Sequence, residues 1–200
     1  MTPSPLLRAV PPGLVALRLA LGPTILAGVL YGWSGATLVA LLTLGVLSDI
    51  FDGIIARRIG TATPALRQAD STVDVVFWLF LLAAAEAKTG RIFADHGWLI
   101  GALLLSEIGC QALSRARFGK APATHTYAAK GWGLMLLVGF GLILGGVEAR
   151  TYVDVMLATG LLVNAEVIAI LWLSGARPVD VPSVLTVLRR RRIGGGDSQP

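Results

Sequence analysis

Long apolar stretches with very little charge are the feature that most restricts how this chain can fold. A helix needs about 20 mostly apolar residues to span the hydrocarbon core of a bilayer. Several segments of the sequence approach that length, and the connections between them are too short for a separate soluble domain. The sequence therefore predicts an all-α integral membrane bundle of six transmembrane helices, over Leu14–Trp33, Thr37–Ala56, Thr72–Ala87, Trp98–Ser114, Gly131–Val147 and Val153–Leu173.

The overall composition agrees with this prediction. Hydrophobic residues make up 54% of the 200 residues and charged residues only 14%, whereas soluble globular domains carry about 25% charged residues. We expect one membrane domain over residues 1–192. The Gly-rich, polar tail over residues 193–200 is expected to be disordered.

The basic residues flank the predicted spans unequally. One set of flanking segments carries 12 of them and the opposite set carries 3, with Arg18 and Lys130 left out because they fall within or beside spans. The larger set is Arg8, Arg57, Arg58, Arg67, Arg115, Arg117, Lys120, Arg177 and Arg189 to Arg192, and the smaller set is Lys88, Arg91 and Arg150. By the positive-inside rule, both termini face the cytoplasmic side of an inner membrane. Because the basic residues are split among several segments, we expect membrane lipids as partners and no nucleic acid.

Four aspartates form two closely spaced pairs. Asp49 and Asp52 lie near the end of the second predicted span, and Asp70 and Asp74 lie near the start of the third. Spacings of three and four residues place side chains on one face of a helix. Carboxylates at membrane depth normally face a bundle interior or a wet cavity, and four that converge would repel one another without a cation. Such oxygen ligands suit Mg²⁺, Mn²⁺ or Ca²⁺.

Two alternatives compete with a metal site in this region. The aspartates could instead cap helices or pair with Arg57, Arg58 and Arg67 near the interface. Gly53 and Ala56, small residues between the two pairs, either admit a ligand close to the backbone or serve helix packing. Arg57 is placed to bind a phosphate or a neighbouring carboxylate.

The complete segment resembles the signature of the CDP-alcohol phosphotransferase family, also called CDP-alcohol phosphatidyltransferases. That signature is D-x2-D-G-x2-A-R-x8-G-x3-D-x3-D, and the chain matches it without a gap at every fixed position except one. The matching residues are Asp49, Asp52, Gly53, Ala56, Arg57, Asp70 and Asp74. At the remaining position Leu66 replaces a glycine that lies beside the nucleotide in family members. Either the local backbone shifts to accommodate it, or nucleotide affinity is reduced.

The resemblance implies a membrane enzyme of phospholipid synthesis that works as a homodimer. Asp49, Asp52, Asp70 and Asp74 would hold two divalent cations, Mg²⁺ or Mn²⁺, on the diphosphate of a CDP-linked lipid such as CDP-diacylglycerol. Asp74 would also act as the catalytic base on the hydroxyl of an alcohol or phosphorylated alcohol. The CDP-binding residues would be Asp49, Asp52, Gly53, Ala56, Arg57 and Leu66. The products would be a phosphodiester lipid and CMP.

Further polar residues are candidates for the acceptor side. Arg115, Arg117, Lys120 and Lys130 would bind a phosphate on the acceptor, or else only anchor the chain by the positive-inside rule. Glu107 and Glu166, inside the fourth and sixth predicted spans, would either bind a polar acceptor or pair with a neighbouring helix. Arg18, inside the first span, either extends to the interface or reaches toward the aspartates.

Three other functions remain open at the level of sequence. An intramembrane prenyltransferase also uses paired aspartates on a diphosphate, but its motifs usually lie far apart in a longer chain with more spans. A metal transporter should carry acidic residues across the whole bilayer, and here they cluster on one side. A degenerate family member that binds a CDP-lipid without reacting is compatible with Leu66.

Overall fold

A computed structural model describes residues 5–60, 63–122, 124 and 126–192, without the side chains of residues 5–8, 57, 64, 65, 67, 68 and 190–192. In these ranges the chain forms α-helices joined by short connections and no strand. The helices are α1 (Pro5–Leu30), α2 (Gly35–Arg58), α3 (Pro64–Thr89), α4 (Ile92–Phe118), α5 (Tyr127–Leu144), α6 (Arg150–Leu173) and α7 (Val184–Arg192). The all-α fold class is therefore confirmed. The predicted disordered tail lies outside the described residues.

Five of these helices are long and apolar enough to cross a membrane: α1, α2, α4, α5 and α6. Large apolar side chains on them point outward, as expected of a surface that meets acyl chains; Leu105 and Leu162 are 70% and 72% exposed. The third predicted span falls on α3, which is not among the five. The helix α3 carries the charged residues Asp70, Asp74, Glu86 and Lys88 along its length. The chain is thus a multi-pass membrane protein, and the predicted count of six spans is not confirmed.

Side-chain caps determine where α2 and α3 begin. The Ser34 hydroxyl accepts a hydrogen bond from the amide of Thr37 at 3.2 Å. The Thr63 hydroxyl accepts one from the amide of Leu66, also at 3.2 Å, and Pro64 follows as the first helical residue. Such caps satisfy backbone donors that a helix leaves unpaired in its first turn. The cap on α3 fixes the point from which Asp70 and Asp74 are counted along the helix.

The first helix begins earlier than the sequence indicates. The first predicted span begins at Leu14, yet α1 begins at Pro5 and includes Pro11, Pro12 and Pro23. Proline removes a backbone hydrogen bond in a helix, but neighbouring helices commonly compensate for this in membrane proteins.

The chain divides into two compact units. The first consists of residues 1–92 and 137–149, and in it α1 packs against both α2 and α3. The second consists of residues 93–136 and 150–200. The four aspartates and Arg18 all belong to the first unit.

A glycine lets α2 and α3 approach closely within the first unit. Phe77 of α3 is 1% exposed, and a Cβ atom added to Gly45 of α2 would lie 2.5 Å from its ring. Small residues at such contacts are what allow membrane helices to pack without voids. This contact holds together the two helices that carry the aspartates.

Polar side-chain contacts tie the second unit together. The Trp132 indole donates to the carbonyl of Met156 at 2.9 Å, and the Asn164 amide donates to the Ser106 hydroxyl at 2.8 Å. The last helix, α7, packs on α6 through a cluster of Ile170, Val181 and Val187. The sequence did not predict α7 as a helix, because its apolar residues are few and followed directly by four arginines.

We predict that Gly45→Ala lowers the apparent Tm of the detergent-solubilised protein by several degrees. The added methyl group must displace the ring of Phe77, and overpacking of this kind costs about 1–3 kcal/mol. Thermal unfolding followed by circular dichroism measures the effect. Gly13→Ala is the matched control in the same unit, because nothing lies within 4 Å of its added Cβ. Equal Tm values for the two variants would contradict the packing described.

Candidate active site

Three of the four aspartates come together between α2 and α3. One carboxylate oxygen from each of Asp49, Asp70 and Asp74 lies within 4.8 Å of the other two. Asp70 and Asp74 are four residues apart on one face of α3, and Asp49 lies in the last turns of α2. Both helices pack against α1.

This arrangement suits a divalent cation. Oxygen ligands bind Mg²⁺ at about 2.1 Å and Ca²⁺ at about 2.3–2.6 Å, so two ligands of one ion lie up to about 4–5 Å apart. The three aspartate oxygens are within or close to that range. All of them are hard carboxylate oxygens, the donor type that Mg²⁺, Mn²⁺ and Ca²⁺ prefer. The residues present therefore fit the metal that the sequence pattern implies.

A buried arginine from α1 lies among the same carboxylates. Arg18 is 1% exposed, and its Nη1 atom lies 2.8 Å from Asp49 Oδ1 and 3.1 Å from Asp70 Oδ1. The guanidinium also pairs with Asp74 and Asp52. Of the two interpretations of Arg18 from the sequence, the structure supports the one in which it reaches toward the aspartates. It can do so because α1 packs against both helices that carry them.

Asp52 occupies a different position from the other three aspartates. Its side chain is 5% exposed, compared with 43% for Asp49. It is not part of the group of three whose oxygens could share one cation. Asp52 pairs with the second nitrogen of the guanidinium, Nη2. The four aspartates thus form a group of three plus one, joined by Arg18.

The remaining motif residues lie on the same two helices. Gly53 is half-buried and Ala56 is 6% exposed, one turn beyond Asp52 on α2. Leu66 is half-buried in the first turn of α3, with its amide held by Thr63. The side chain of Arg57 lies outside the described part of the chain. Nothing in these positions contradicts the predicted nucleotide contacts, which stay a prediction.

The four predicted acceptor residues belong to the second unit. Arg115, Arg117, Lys120 and Lys130 are all exposed. Arg117 already has a structural role. Its guanidinium donates to the carbonyls of Leu171 and Trp172 at 2.9 Å each and to that of Ser174 at 3.4 Å. These are carbonyls at the end of α6, which an α-helix leaves without partners.

Glu107 and Glu166 each accept a hydrogen bond from another group of the protein. Glu166 of α6 accepts a hydrogen bond from the amide of Val184 at 3.1 Å. This amide opens α7, where a negative charge is favourable. Glu107 accepts from the side-chain amide of Gln111 at 3.0 Å, one turn further along α4.

Sequence reasoning did not find one further polar pair in the second unit. His96 is 2% exposed, and its Nδ1 atom lies 2.7 Å from Asp154 Oδ1. The residues are 58 positions apart, so no local spacing links them. The usable signal was a histidine two residues before the fourth predicted span and an aspartate in the first turn of the sixth.

Comparison with known proteins agrees with this site. The family model described as CDP-alcohol phosphatidyltransferase matches residues 8–177, a range that includes most of α1, all of α2 to α6 and the four motif aspartates. No curated protein matches the chain, and no solved structure matches it. The family match covers well over half of the chain and includes Arg18, both aspartate pairs and the candidate acceptor residues. The protein is therefore a member of the CDP-alcohol phosphatidyltransferase family.

Proposed function

We propose that the protein transfers a phosphatidyl group from CDP-diacylglycerol to an alcohol or a phosphorylated alcohol and releases CMP. The observation that carries this proposal is the convergence of Asp49, Asp70 and Asp74 within 4.8 Å, in a chain whose family is defined by transfer from CDP-alcohols. Converging carboxylates between helices of a membrane protein are costly to maintain without a function.

The carboxylates supply the binding site for the donor's diphosphate. Asp49, Asp52, Asp70 and Asp74 would hold two divalent cations, Mg²⁺ or Mn²⁺, which when bound offset the negative charge of the diphosphate. Gly53 and Ala56 leave room beside this site, and Arg57 would pair with a phosphate of the donor. These residues position the donor, and positioning with electrostatics supplies most of the catalysis in transfers of this kind.

Asp74 is the proposed base. Its carboxylate would take the proton from the acceptor hydroxyl as the hydroxyl oxygen bonds to the phosphorus that carries diacylglycerol. The bond from that phosphorus to the bridging oxygen breaks, and the electron pair leaves with CMP. A base must lie within hydrogen-bond reach of the proton that it removes. The family resemblance assigns this role to Asp74, whose side chain is 35% exposed and therefore accessible to an acceptor.

The acceptor and the assembly are further parts of the proposal. A phosphate on the acceptor would be bound by the exposed cationic groups of Arg115, Lys120 and Lys130. Arg117 lies near Arg115 in the sequence, but its guanidinium is bonded to the end of α6. We place the aspartates near the cytoplasmic face of the inner membrane, from the distribution of basic residues. Acyl chains would then stay in the bilayer while CMP leaves to water. A homodimer is proposed from the family resemblance alone.

The test is CMP release by the purified protein with CDP-diacylglycerol, Mg²⁺ or Mn²⁺, and a panel of alcohols and phosphorylated alcohols. Turnover with one acceptor identifies the substrate. Consumption of a prenyl diphosphate instead would overturn the proposal in favour of a prenyltransferase. Mn²⁺ flux in proteoliposomes without CMP release would indicate a transporter. Binding of CDP-diacylglycerol with no turnover for any acceptor would indicate a degenerate family member.

We predict that Asp74→Asn reduces CMP release by at least about 10²-fold, the lower end of the usual contribution of a general base. The asparagine keeps the size of the side chain, so the helical circular dichroism spectrum should be retained. Glu86→Gln is the matched control, because it removes one acidic charge elsewhere on α3 and should leave turnover unchanged. Turnover like that of the wild type in Asp74→Asn would rule out the proposed base.

We also predict that Leu66→Gly lowers the KM for CDP-diacylglycerol. It restores the glycine of the family pattern and removes a half-buried side chain from the first turn of α3. The substitution should also lower the Tm, because glycine in a helix costs about 1 kcal/mol. Leu66→Ala separates the two effects, since it removes most of the volume and keeps helix propensity. An unchanged KM in both variants would show that Leu66 does not restrict the donor.

A further inference from the structure

One nitrogen of Arg18 contacts the same three carboxylates that could share a cation. Nη1 is 2.8 Å from Asp49 Oδ1 and 3.1 Å from Asp70 Oδ1, and it donates to Asp74. These three residues are the ones whose oxygens lie within 4.8 Å of one another. The guanidinium therefore sits where the charge of a bound cation would be centred.

The nitrogen and a metal ion cannot be in this place together. An ion of the size of Mg²⁺ would lie about 2.1 Å from each carboxylate oxygen. The nitrogen Nη1 contacts the same three carboxylates, so it occupies space that such an ion would need. Both groups are positive, and a guanidinium cannot lose its proton to become a ligand. Either the metal stays out or Nη1 moves away.

The contacts of Arg18 also provide for such a movement. The second nitrogen, Nη2, pairs with Asp52, which lies outside the group of three. Arg18 thus keeps one buried partner when Nη1 leaves the other carboxylates. Its Nε atom is buried without a hydrogen bond, and an unsatisfied donor of this kind is unfavourable. A movement of the Arg18 side chain could therefore give this donor a partner that it lacks in the present arrangement.

We propose that Arg18 is the counter-ion of the metal-free site and that the first divalent cation displaces it from Asp49, Asp70 and Asp74. This inference rests on the metal use in the proposed function. Arg18 is a positioning residue. It holds four carboxylates together in the absence of metal and makes metal binding a competition between an internal cation and an external one.

The test is a Mn²⁺ titration of the purified protein without substrate, with free Mn²⁺ followed by electron paramagnetic resonance. Arg18→Gln removes contacts that are present only in the metal-free state, so it should bind the first Mn²⁺ about tenfold more tightly than the wild type, within the usual range of coupling between two ligands. In EDTA its apparent Tm should be lower than that of the wild type, and saturating Mn²⁺ should close the gap. Unchanged or weaker Mn²⁺ binding would overturn the proposal, because it would mean that Arg18 cooperates with the metal.

Two further variants make the result specific. Arg91→Gln removes one positive charge from an exposed pair with Glu148 in the same unit, and its Mn²⁺ affinity should equal that of the wild type. Arg18→Lys keeps the charge but has a single nitrogen, which cannot contact four carboxylates at once. It should bind Mn²⁺ more tightly than the wild type by a smaller factor than Arg18→Gln. An Arg18→Lys affinity equal to the wild type would show that only net charge matters and would overturn the displacement.

These readouts separate this inference from the proposed function. Mn²⁺ binding by the wild type with no gain in Arg18→Gln would reject the displacement and leave the transferase proposal standing. Tighter Mn²⁺ binding by Arg18→Gln, together with no CMP release by the wild type, would support the displacement and reject the transferase. If Arg18→Gln folds only when Mn²⁺ is present, which the proposal also expects, titration of the Mn²⁺-loaded protein with EDTA gives the same affinity.

Discussion

The first compact unit can form only if the mutual repulsion among its four clustered carboxylates is offset. Asp49, Asp70 and Asp74 present oxygens within 4.8 Å of one another, and Asp52 lies buried beside them. Like charges at such distances interact strongly where water is scarce. The guanidinium of Arg18 contacts all four. The packing of α1 against both α2 and α3 is therefore an electrostatic requirement as well as an apolar contact, because only α1 brings this cation to the aspartates.

The departure at Leu66 affects a different part of the site from the aspartates. Leu66 lies in the first turn of α3, where Thr63 already holds its amide. The helix therefore starts in the same way whichever side chain is present, and Asp70 and Asp74 keep their register along α3. A change at this position would alter the proposed nucleotide site without disturbing the carboxylates. The match of the family model spans residues 8–177 and includes this position.

Most of the helices and the aspartate positions could be predicted from the sequence, because both follow from short-range patterns. Apolar runs of membrane length identified α1 to α6, and spacings of three and four residues placed each aspartate pair on one helix face. The contacts of Arg18 could not be fixed, since they depend on the rotation of α1 against two other helices. The sequence could give only two alternatives for it. The difference between Asp52 and the other three aspartates depends on the same packing.

The features that the sequence did not predict depend on contacts between distant residues or on where helices begin. The bond from Val184 to Glu166 links residues 18 positions apart, and it gives α7 a start that its own sequence lacks. The helix α1 begins before the predicted span and includes Pro11 and Pro12, which a membrane helix tolerates. The third predicted span, on α3, is not confirmed for a different reason. Its charged residues serve the site, and they weaken the apolar signal on which such predictions depend.

The pairing of Arg18 with the aspartates has a consequence for how the chain is made. Arg18 precedes all four acidic residues in the order of synthesis, so α1 is complete before the ribosome reaches α2 or α3. An aspartate within a helix raises the cost of entering the bilayer by about 2.5–3.5 kcal/mol when it lies near the centre. A neighbouring helix that already carries the opposite charge lowers this cost as each new segment arrives. The order of residues along the chain thus favours insertion of the helices that carry the four aspartates after α1 is in place.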